Sequence, residues 1–300
     1  MLDAVPYIGE SMALLNALLW AISIILFKVS GHHIRPFTLN FFKNTIGSFF
    51  LLLTTVMLGQ TLWPAIPTRD YIMLMASGMV GIGIADTLLF QSLNLLGASR
   101  SAIVDCLYAP MIMIFSFILL KEDITLAKIV GASLVLASIP LIYLDRKKEP
   151  IETNIFFKGV VLGALAMALM SVSVVIIKPQ LEIYPIVWTT TLRMVAGTVF
   201  LVGVGLLRHD RKKIFAILKP QPVWRIAFFP SFMGAYPCIL LWIGSFKYAK
   251  ASVAGIITQL SVFFTVILAG LFLREPLTTK KWLALGLAIM GSLLVTFSQS

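Results

Sequence analysis

Long apolar runs alternate with short polar interruptions along this chain, and the runs have the length a helix needs to cross a bilayer. Charges, Pro and Gly mark off ten of them: 11–30, 36–58, 71–96, 98–120, 124–144, 157–178, 184–207, 224–247, 250–273 and 279–298. About 20 apolar residues in helical form span the hydrocarbon core. Strand-type alternation is absent, so the pattern predicts helices and not a barrel. Connections such as Gly97 to Arg100 and Lys121 to Asp123 are short enough to force antiparallel neighbours; only Asp145 to Phe156 and Arg208 to Val223 are longer. Met1 to Glu10 carries no Lys or Arg and no small-residue cleavage site follows. The first run therefore reads as a retained span and not a signal peptide.

The two halves echo each other. An offset of 150 pairs Lys28 with Lys178, Lys43 with Arg193 and Gly47 with Gly197. An offset of 153 then pairs Gly81 with Gly234, Ser92 with Ser245, Ala98 with Ala251, Glu122 with Glu275, Thr125 with Thr278 and Lys128 with Lys281. Apolar matches between helices arise by chance, whereas charged residues recurring at a constant offset do not. The expected architecture is an all-α integral membrane protein, ten transmembrane helices arranged as two inverted five-helix repeats, residues 1–145 and 157–300, joined by a linker at 146–156. Five spans per copy is an odd number, so the second copy enters the membrane in the opposite sense. Inverted repeats are characteristic of secondary transporters, whose site lies near the midplane between the halves.

Composition sharpens this picture. Of 300 residues, 59% are hydrophobic and 12% charged, against roughly 25% charged in soluble domains. The net charge of +11 sits in short loops without a continuous basic face, which argues for topology signals beside anionic lipid and against nucleic acid. Cys106 and Cys238 fall inside apolar runs, where a thiol behaves as a small hydrophobe, so neither a disulfide nor a metal site is expected. His32, His33 and His209 lie in loops without a carboxylate to complete a metal site. No P-loop pattern is present to bind nucleotide. No cofactor is expected.

The segment Leu18-Leu19-Trp20-Ala21-Ile22-Ser23-Ile24-Ile25-Leu26-Phe27-Lys28, the run Ala98, Ser99, Ser101, Ala102, Pro110 with its exit Leu120-Lys121-Glu122, and in the second half Ala251-Ser252-Val253-Ala254 with Arg274-Glu275-Pro276-Leu277-Thr278 together resemble the drug/metabolite transporter superfamily of the EamA type. The resemblance covers nearly the whole chain. It implies two tandem five-helix units and transport of a small metabolite such as an amino acid, nucleoside, sugar or related amphiphile. Two departures stand out: Phe263 occupies the position matching Pro110, and Ile22-Ser23 replaces the Ser-Asn pair often found after the Trp.

Four ionisable residues lie deep in the runs: Lys43, Asp86, Asp105 and Arg193. Each costs at least a few kcal/mol by insertion scales, so each needs a reason. Asp86 shares a helical face with Met79, Gly83 and Phe90, and Asp105 shares one with Ser101 and Tyr108. Either carboxylate binds a cationic substrate group or exchanges a coupled proton; the alternative is a structural pair with Lys43 or Arg193. Their positions at offset 153 hold Ile239 and Thr258, so acidity is confined to the first half. Lys43 and Arg193 are expected to snorkel toward an interface, or else to act as a gate. Further faces that would line a cavity are Asn16, Trp20, Ser23 and Phe27; Ser252, Gly255, Gln259 and Phe263; and Tyr236 with Trp242 beside Pro237. Aromatic walls with few hydrogen-bonding groups suit an amphiphile. Gly78, Gly81 and Gly83 permit close packing or bending, and Pro110 and Pro237 free backbone carbonyls.

The loops that follow odd-numbered runs carry 15 Lys and Arg, and the opposite side carries 6. The charge rule therefore puts both termini outside a cell membrane crossed many times, whereas the resemblance argues for cytoplasmic termini. The expected function is alternating-access transport of a small metabolite, with or without proton coupling, and not an enzymatic one. The alternative is a non-transporting sensor, a channel or a lipid flippase subunit.

Overall fold

The computed structural model describes residues 7–121, 124–144, 151–248 and 251–297. Glu122 and the side chain of Ser252 lie outside the described residues. The described chain is helical: α1 (Ile8–Gly31), α2 (Pro36–Met57), α3 (Thr68–Gly78), a π-helical segment (Met79–Ala85), α4 (Asp86–Leu96), α5 (Ala98–Asp105), α6 (Tyr108–Leu120), α7 (Leu126–Leu144), α8 (Thr153–Val175), α9 (Lys178–Ile183), α10 (Ile186–Leu207), α11 (Arg211–Ala216), α12 (Trp224–Ala235), α13 (Pro237–Tyr248), α14 (Ala251–Phe272) and α15 (Thr279–Phe297). Among the described residues, 7 stretches are long and apolar enough to cross a membrane: Ile8–Gly31, Thr68–Leu96, Ala98–Leu119, Leu126–Leu144, Thr153–Val175, Ile186–Leu207 and Trp224–Ser245. The protein is thus an all-α, multi-pass membrane protein. Of the expected runs outside that set, α2 has span length at 22 residues but carries Asn40, Lys43 and Asn44 on one face. Residues Ile257–Phe272 of α14 form a shorter apolar helix.

Proline decides where the long runs break. α5 ends at Asp105 and α6 starts at Tyr108; the ring of Pro110 cannot donate to the Cys106 carbonyl and crowds it. That carbonyl instead accepts from Ala109 N at 3.3 Å and from Ser292 Oγ at 3.5 Å. Pro237 likewise opens α13 after Tyr236, whose φ of −124° and ψ of −76° end α12. Where Phe263 takes the place of Pro110, α14 continues unbroken over 22 residues.

Packing follows a pattern that repeats. α1 lies against α12, α13 and α14, while α8 lies against α4, α5, α6 and the π-helical segment; α2 packs on α12, and α10 on α3. α2 also packs on α10, and α7 on α15. Individual contacts recur at matching spacing. A Cβ at Gly47 would meet the Ala235 Cβ at 2.7 Å, and one at Gly197 would meet the Ile82 Cβ at 3.0 Å. Gly81 sits against the Ser173 hydroxyl, and Gly234 against Phe27 and Ser23. Ser48 Oγ and Thr198 Oγ1, 150 residues apart, share a hydrogen bond of 2.8 Å. Two main apolar clusters result, one around α4, α5, α8, α14 and α15 and one around α1, α2, α4 and α12; Trp20 packs against both.

The α7 and α15 backbones meet glycine to glycine: a Cβ on Gly131 would stand 2.6 Å from the Gly291 carbonyl oxygen, and a Cβ on Gly291 would collide with that of Gly131. Small residues let helices in lipid approach closely and gain dispersion contacts. At one end of the bundle, Asp210 accepts from Arg35 Nη1 at 2.8 Å and from Arg208 Nε at 3.1 Å. The Arg208 hydrogen bond and charge, with Arg35, hold the Asp210 carboxyl below its usual range against a smaller opposing effect of desolvation.

Two outcomes follow. Gly131→Val or Gly291→Val should destabilise the protein by about 1–3 kcal/mol through overpacking, read as a lower thermal midpoint in detergent; an unchanged midpoint would contradict the contact. Because the folded-state pKa of Asp210 is depressed, its contribution is present above the ordinary carboxylate value of about 4 and is lost as pH falls through the lowered one. Protection of the α11 amides against hydrogen exchange should therefore decline on acidification in the native protein and be weak at all pH in Asp210→Asn.

Candidate functional site

One face of α2 presents Asn40, Lys43, Asn44 and Gly47 at helical spacing, and all four are buried. Asn40 and Asn44 reach the π-helical segment, whose wider turn takes carbonyls off the α-helical ladder, while Gly47 lies against Ala235 of α12. Asn40 Nδ2 donates to Ile82 O at 3.0 Å, Gly83 O at 3.1 Å and Thr87 Oγ1 at 2.9 Å. Asn44 Nδ2 donates to the Asn40 Oδ1 at 2.9 Å. The freed carbonyls are thus satisfied by side chains, as hydrocarbon surroundings require.

The π segment ends at Ala85, which delivers Asp86 to Lys43. Nζ of Lys43 lies 2.5 Å from Asp86 Oδ2, with side-chain exposures of 5% and 9%. The ring of Phe90 underlies the ammonium at 5.4 Å and packs on Phe27 at 4.8 Å between ring centres. The snorkelling expected of Lys43 does not occur. Its stem is enclosed by neighbouring helices, and an ion partner 43 residues away holds its charge inside the protein.

Arg193 of α10 does not snorkel either, being 5% exposed. Gly78 lies against its backbone carbonyl, too close for any side chain on that residue, which draws α3 and α10 together. Ser77 accepts from Arg193 Nε at 2.9 Å. The guanidinium lies within coulombic range of Tyr108 and Asp86. Among the described residues its terminal nitrogens have no hydrogen-bond partner, which leaves a planar fork for an acceptor of another kind.

Asp105 differs from Asp86. It is the last residue of α5, and its Oδ1 is buried with no hydrogen-bond partner among the described residues. Ser101 Oγ, one turn earlier on the same face, and Thr258 Oγ1 of α14 are also buried without partners. α5 packs directly on α14, so these unmatched oxygens lie on two helices that meet. The break at Cys106 and Leu107 means that Tyr108 opens a new helix and does not continue a straight stripe; its carbonyl accepts from Ser171 Oγ at 3.3 Å.

The other sequence candidates divide. Ser23 is fully buried and its hydroxyl is used on Leu19 O at 2.8 Å, so it offers no free group to a cavity. Tyr236 shares a hydrogen bond of 2.7 Å with Thr54 and stacks among Phe50 and Phe232. Trp20, Trp242 and Gln259 are partly buried. Glu275, expected as the repeat partner of Glu122 and as part of the family pattern, caps α5: its oxygens accept from Ala98 N at 2.7 Å and Ser99 N at 3.0 Å. An acid is favourable at that positive helix end. Gly97, with φ of 87°, turns the chain beneath it where a Cβ would stand 2.8 Å from Oε1. The residue that sequence reading missed is Asn40. Its signal was its place one turn before Lys43 on the same face, a polar side chain in a run that had no evident use for one.

The profile of the EamA-like transporter family matches residues 7–144 and 157–297. An uncharacterised transporter, YetK of Bacillus subtilis (strain 168), is 22% identical over 282 residues, covering 91% of this chain and 82% of that protein. One solved crystal structure superposes with a TM-score of 0.63 at 16% identity, covering 97% of this chain and 98% of its own. That likeness is one of fold.

Asp86→Asn and Lys43→Met should each destabilise the protein by about 3–5 kcal/mol, because each strands one buried charge. The double substitution Lys43→Met with Asp86→Leu should recover most of that loss. Thermal midpoints of the three variants check the pairing, and independent, additive losses would contradict it.

Proposed function

The chain belongs to the EamA-like transporter family, and from that membership we propose that it is a secondary transporter of a small metabolite, built from two inverted five-helix repeats in the cell membrane. In this reading the crossings are α1, α2, α3 with α4, α5 with α6, and α7 in the first copy, and α8, α10, α12 with α13, α14 and α15 in the second. The observation that carries it is the recurrence of contacts at the repeat spacing. Gly47 on Ala235 matches Gly197 on Ile82, Gly81 on Ser173 matches Gly234 on Ser23, and Ser48 bonds its own counterpart Thr198. A residue in contact with its repeat mate lies on a pseudo-twofold axis. Two similar units of opposite sense can exchange conformations at similar energy, which supports alternating access.

The solute is held at the seam. The unpartnered guanidinium fork of Arg193 takes an acceptor such as a carboxylate or carbonyl, and the unmatched oxygens on α5 and α14 take donors. Within that site Asp86 is a structural partner of Lys43, and Asp105 is the coupling carboxylate that exchanges a proton with the transport cycle. Of the charged residues on α5 and on the elements packed around it, Arg100 lies five residues before Asp105 on a different face of α5, and Glu10 stands at the start of α1. Lys28 of α1 donates to Leu93 and Asn94 carbonyls, Asp86 of α4 is taken by Lys43, Lys128 and Lys158 stand near the starts of α7 and α8, Lys280 and Lys281 near the start of α15, and α14 has none. Protonation therefore offers Asp105 the nearest route to neutrality in a water-poor site. By the charge rule both termini face outward.

The test is flux into proteoliposomes across a panel of amino acids, nucleosides and sugars, with and without an imposed proton gradient. Saturable uptake driven by the gradient is expected. Asp105→Asn should abolish the response to the gradient while retaining solute exchange at equal concentrations. Unsaturable flux would instead indicate a channel, and a normal gradient response in Asp105→Asn would remove that carboxylate from coupling.

A further inference from the structure

The mouth formed by the α2–α3 connection and the α9–α10 joint holds a cavity of about 290 Å³, lined among others by Gln60, Thr61, Ile66, Tyr184, Pro185 and Trp188. At about 30 Å³ per water, that is room for a solute of roughly ten non-hydrogen atoms.

The hydrogen-bonding groups around it are unevenly used. Four donors around it are spent inside the protein: Trp188 Nε1 on Leu62 O at 3.0 Å, Tyr184 OH on Asp70 Oδ2 at 2.6 Å, Gln180 Nε2 on Asp70 Oδ1 at 3.0 Å and Tyr71 OH on Pro64 O at 2.7 Å. Two amide oxygens are not. Gln60 Oε1 and Gln180 Oε1 are buried without a hydrogen-bond partner, and the Asp70 carboxylate stands behind Tyr184 and Gln180. The aromatic rings cluster, with Tyr184 and Tyr71 each edge-on to Trp188 at 5.7 Å and 5.9 Å. Carbonyl oxygens, a carboxylate and π-faces all attract a cation. Arg69, adjacent to Asp70, acts on that carboxylate and tempers the attraction without entering the cavity lining.

The opposite mouth gives an internal comparison, which rests on the repeat reading above. Gln60 and Pro185 stand 150 residues from Asp210 and Arg35 respectively, and those two are joined by an ion pair of 2.8 Å. One mouth thus pairs a guanidinium with a carboxylate, whereas the other has a proline and an uncharged amide at the matching positions.

We propose that this cavity is a recognition site for an organic ammonium ion with an apolar body, at one mouth of the transport path. The ammonium lies toward Gln60 Oε1, and the apolar body lies against Trp188 and Tyr184. The same chemistry is found in a free amine and in the headgroup of phosphatidylethanolamine.

The experiment uses the full chain in an uncharged maltoside detergent, with phenethylammonium as probe and 2-phenylethanol as its neutral counterpart, read by tryptophan fluorescence with Trp188→Phe as the signal control. Phenethylammonium should saturate with an affinity at least tenfold above that of the alcohol. Gln60→Leu should weaken it several-fold, and Gln60→Asp, which copies the carboxylate of the opposite mouth, should tighten it. Adding phosphatidylethanolamine distinguishes the sources: competition with the probe assigns the site to the lipid headgroup, and undiminished binding assigns it to a free amine. Equal affinity for the amine and the alcohol, or no tightening in Gln60→Asp, would overturn the proposal. Binding at equilibrium needs no flux, so absent binding in a protein that still transports sinks this site alone, and binding without flux sinks only the transport reading.

Discussion

Lipid leaves a protein no water with which to satisfy a buried polar group, and that constraint organises this molecule. Each backbone carbonyl released from a helical ladder, and each charge placed inside a span, has to find its partner within the chain or stand as an open binding capacity. The π-helical segment shows the first outcome. Its carbonyls are taken by Asn40, which sits where α2 can reach them, and the Lys43 to Asp86 pair closes the same interface. Asp105, Ser101 and Thr258 show the second, since among the described residues each holds a buried oxygen with no partner. An accounting of hydrogen bonds thereby separates partnered from unpartnered groups, although all these residues look alike as polar interruptions of apolar helices.

Much of the architecture was legible in the sequence because its signals are additive along the chain. Apolar run lengths mark helices, and Pro110 and Pro237 mark two of the breaks. Lys43, Asp86, Asp105 and Arg193 were legible for a related reason: an ionisable residue in hydrocarbon is too costly to be incidental. What stayed hidden depends on register and partnership. A π-helical turn has no compositional mark of its own beyond the glycines at 78, 81 and 83, which equally suit close packing. Snorkelling was a reasonable expectation for Lys43 and Arg193 considered singly. It fails because helices that pack tightly around both residues remove the path to the interface; Asp86 then compensates Lys43, while Arg193 has the hydroxyl of Ser77. Ser23 fails as a lining group for a similar reason, its hydroxyl being bonded to the backbone one turn back.

Glu275 illustrates how the halves are tied to each other. It leaves α14 at the end of the second half and caps the start of α5 in the first, through two backbone amides. A carboxylate at a helix N-terminus offsets orphan donors and the positive end of the dipole together. The capped helix is the one that carries Ser101 and Asp105. Any movement of the second half that carries Glu275 with it must therefore either drag α5 along or uncap it. Asp105 is thereby mechanically linked to the loop after α14 by a contact about two turns away along its own helix.

Symmetry in such a scaffold has a thermodynamic consequence that the side chains then modify. If the two units were identical, the states open to either face would differ little in energy, and no solute would be needed to populate both. Departures from identity set the bias. Acidity at membrane depth occurs only in the first half, and at the mouths an ion pair between Arg35 and Asp210 stands where the other end has Pro185 and Gln60. An exposed pair of this kind contributes little by itself, yet a two-state equilibrium near balance responds to small differences, since 1.4 kcal/mol changes a ratio tenfold. A cation bound beside Gln60 would supply to its mouth the charge that Arg35 supplies to the other, and would restore the balance that the sequence difference removes. Occupancy of the open mouth and protonation of Asp105 would then act on the same equilibrium from two places, one at the rim and one at the seam.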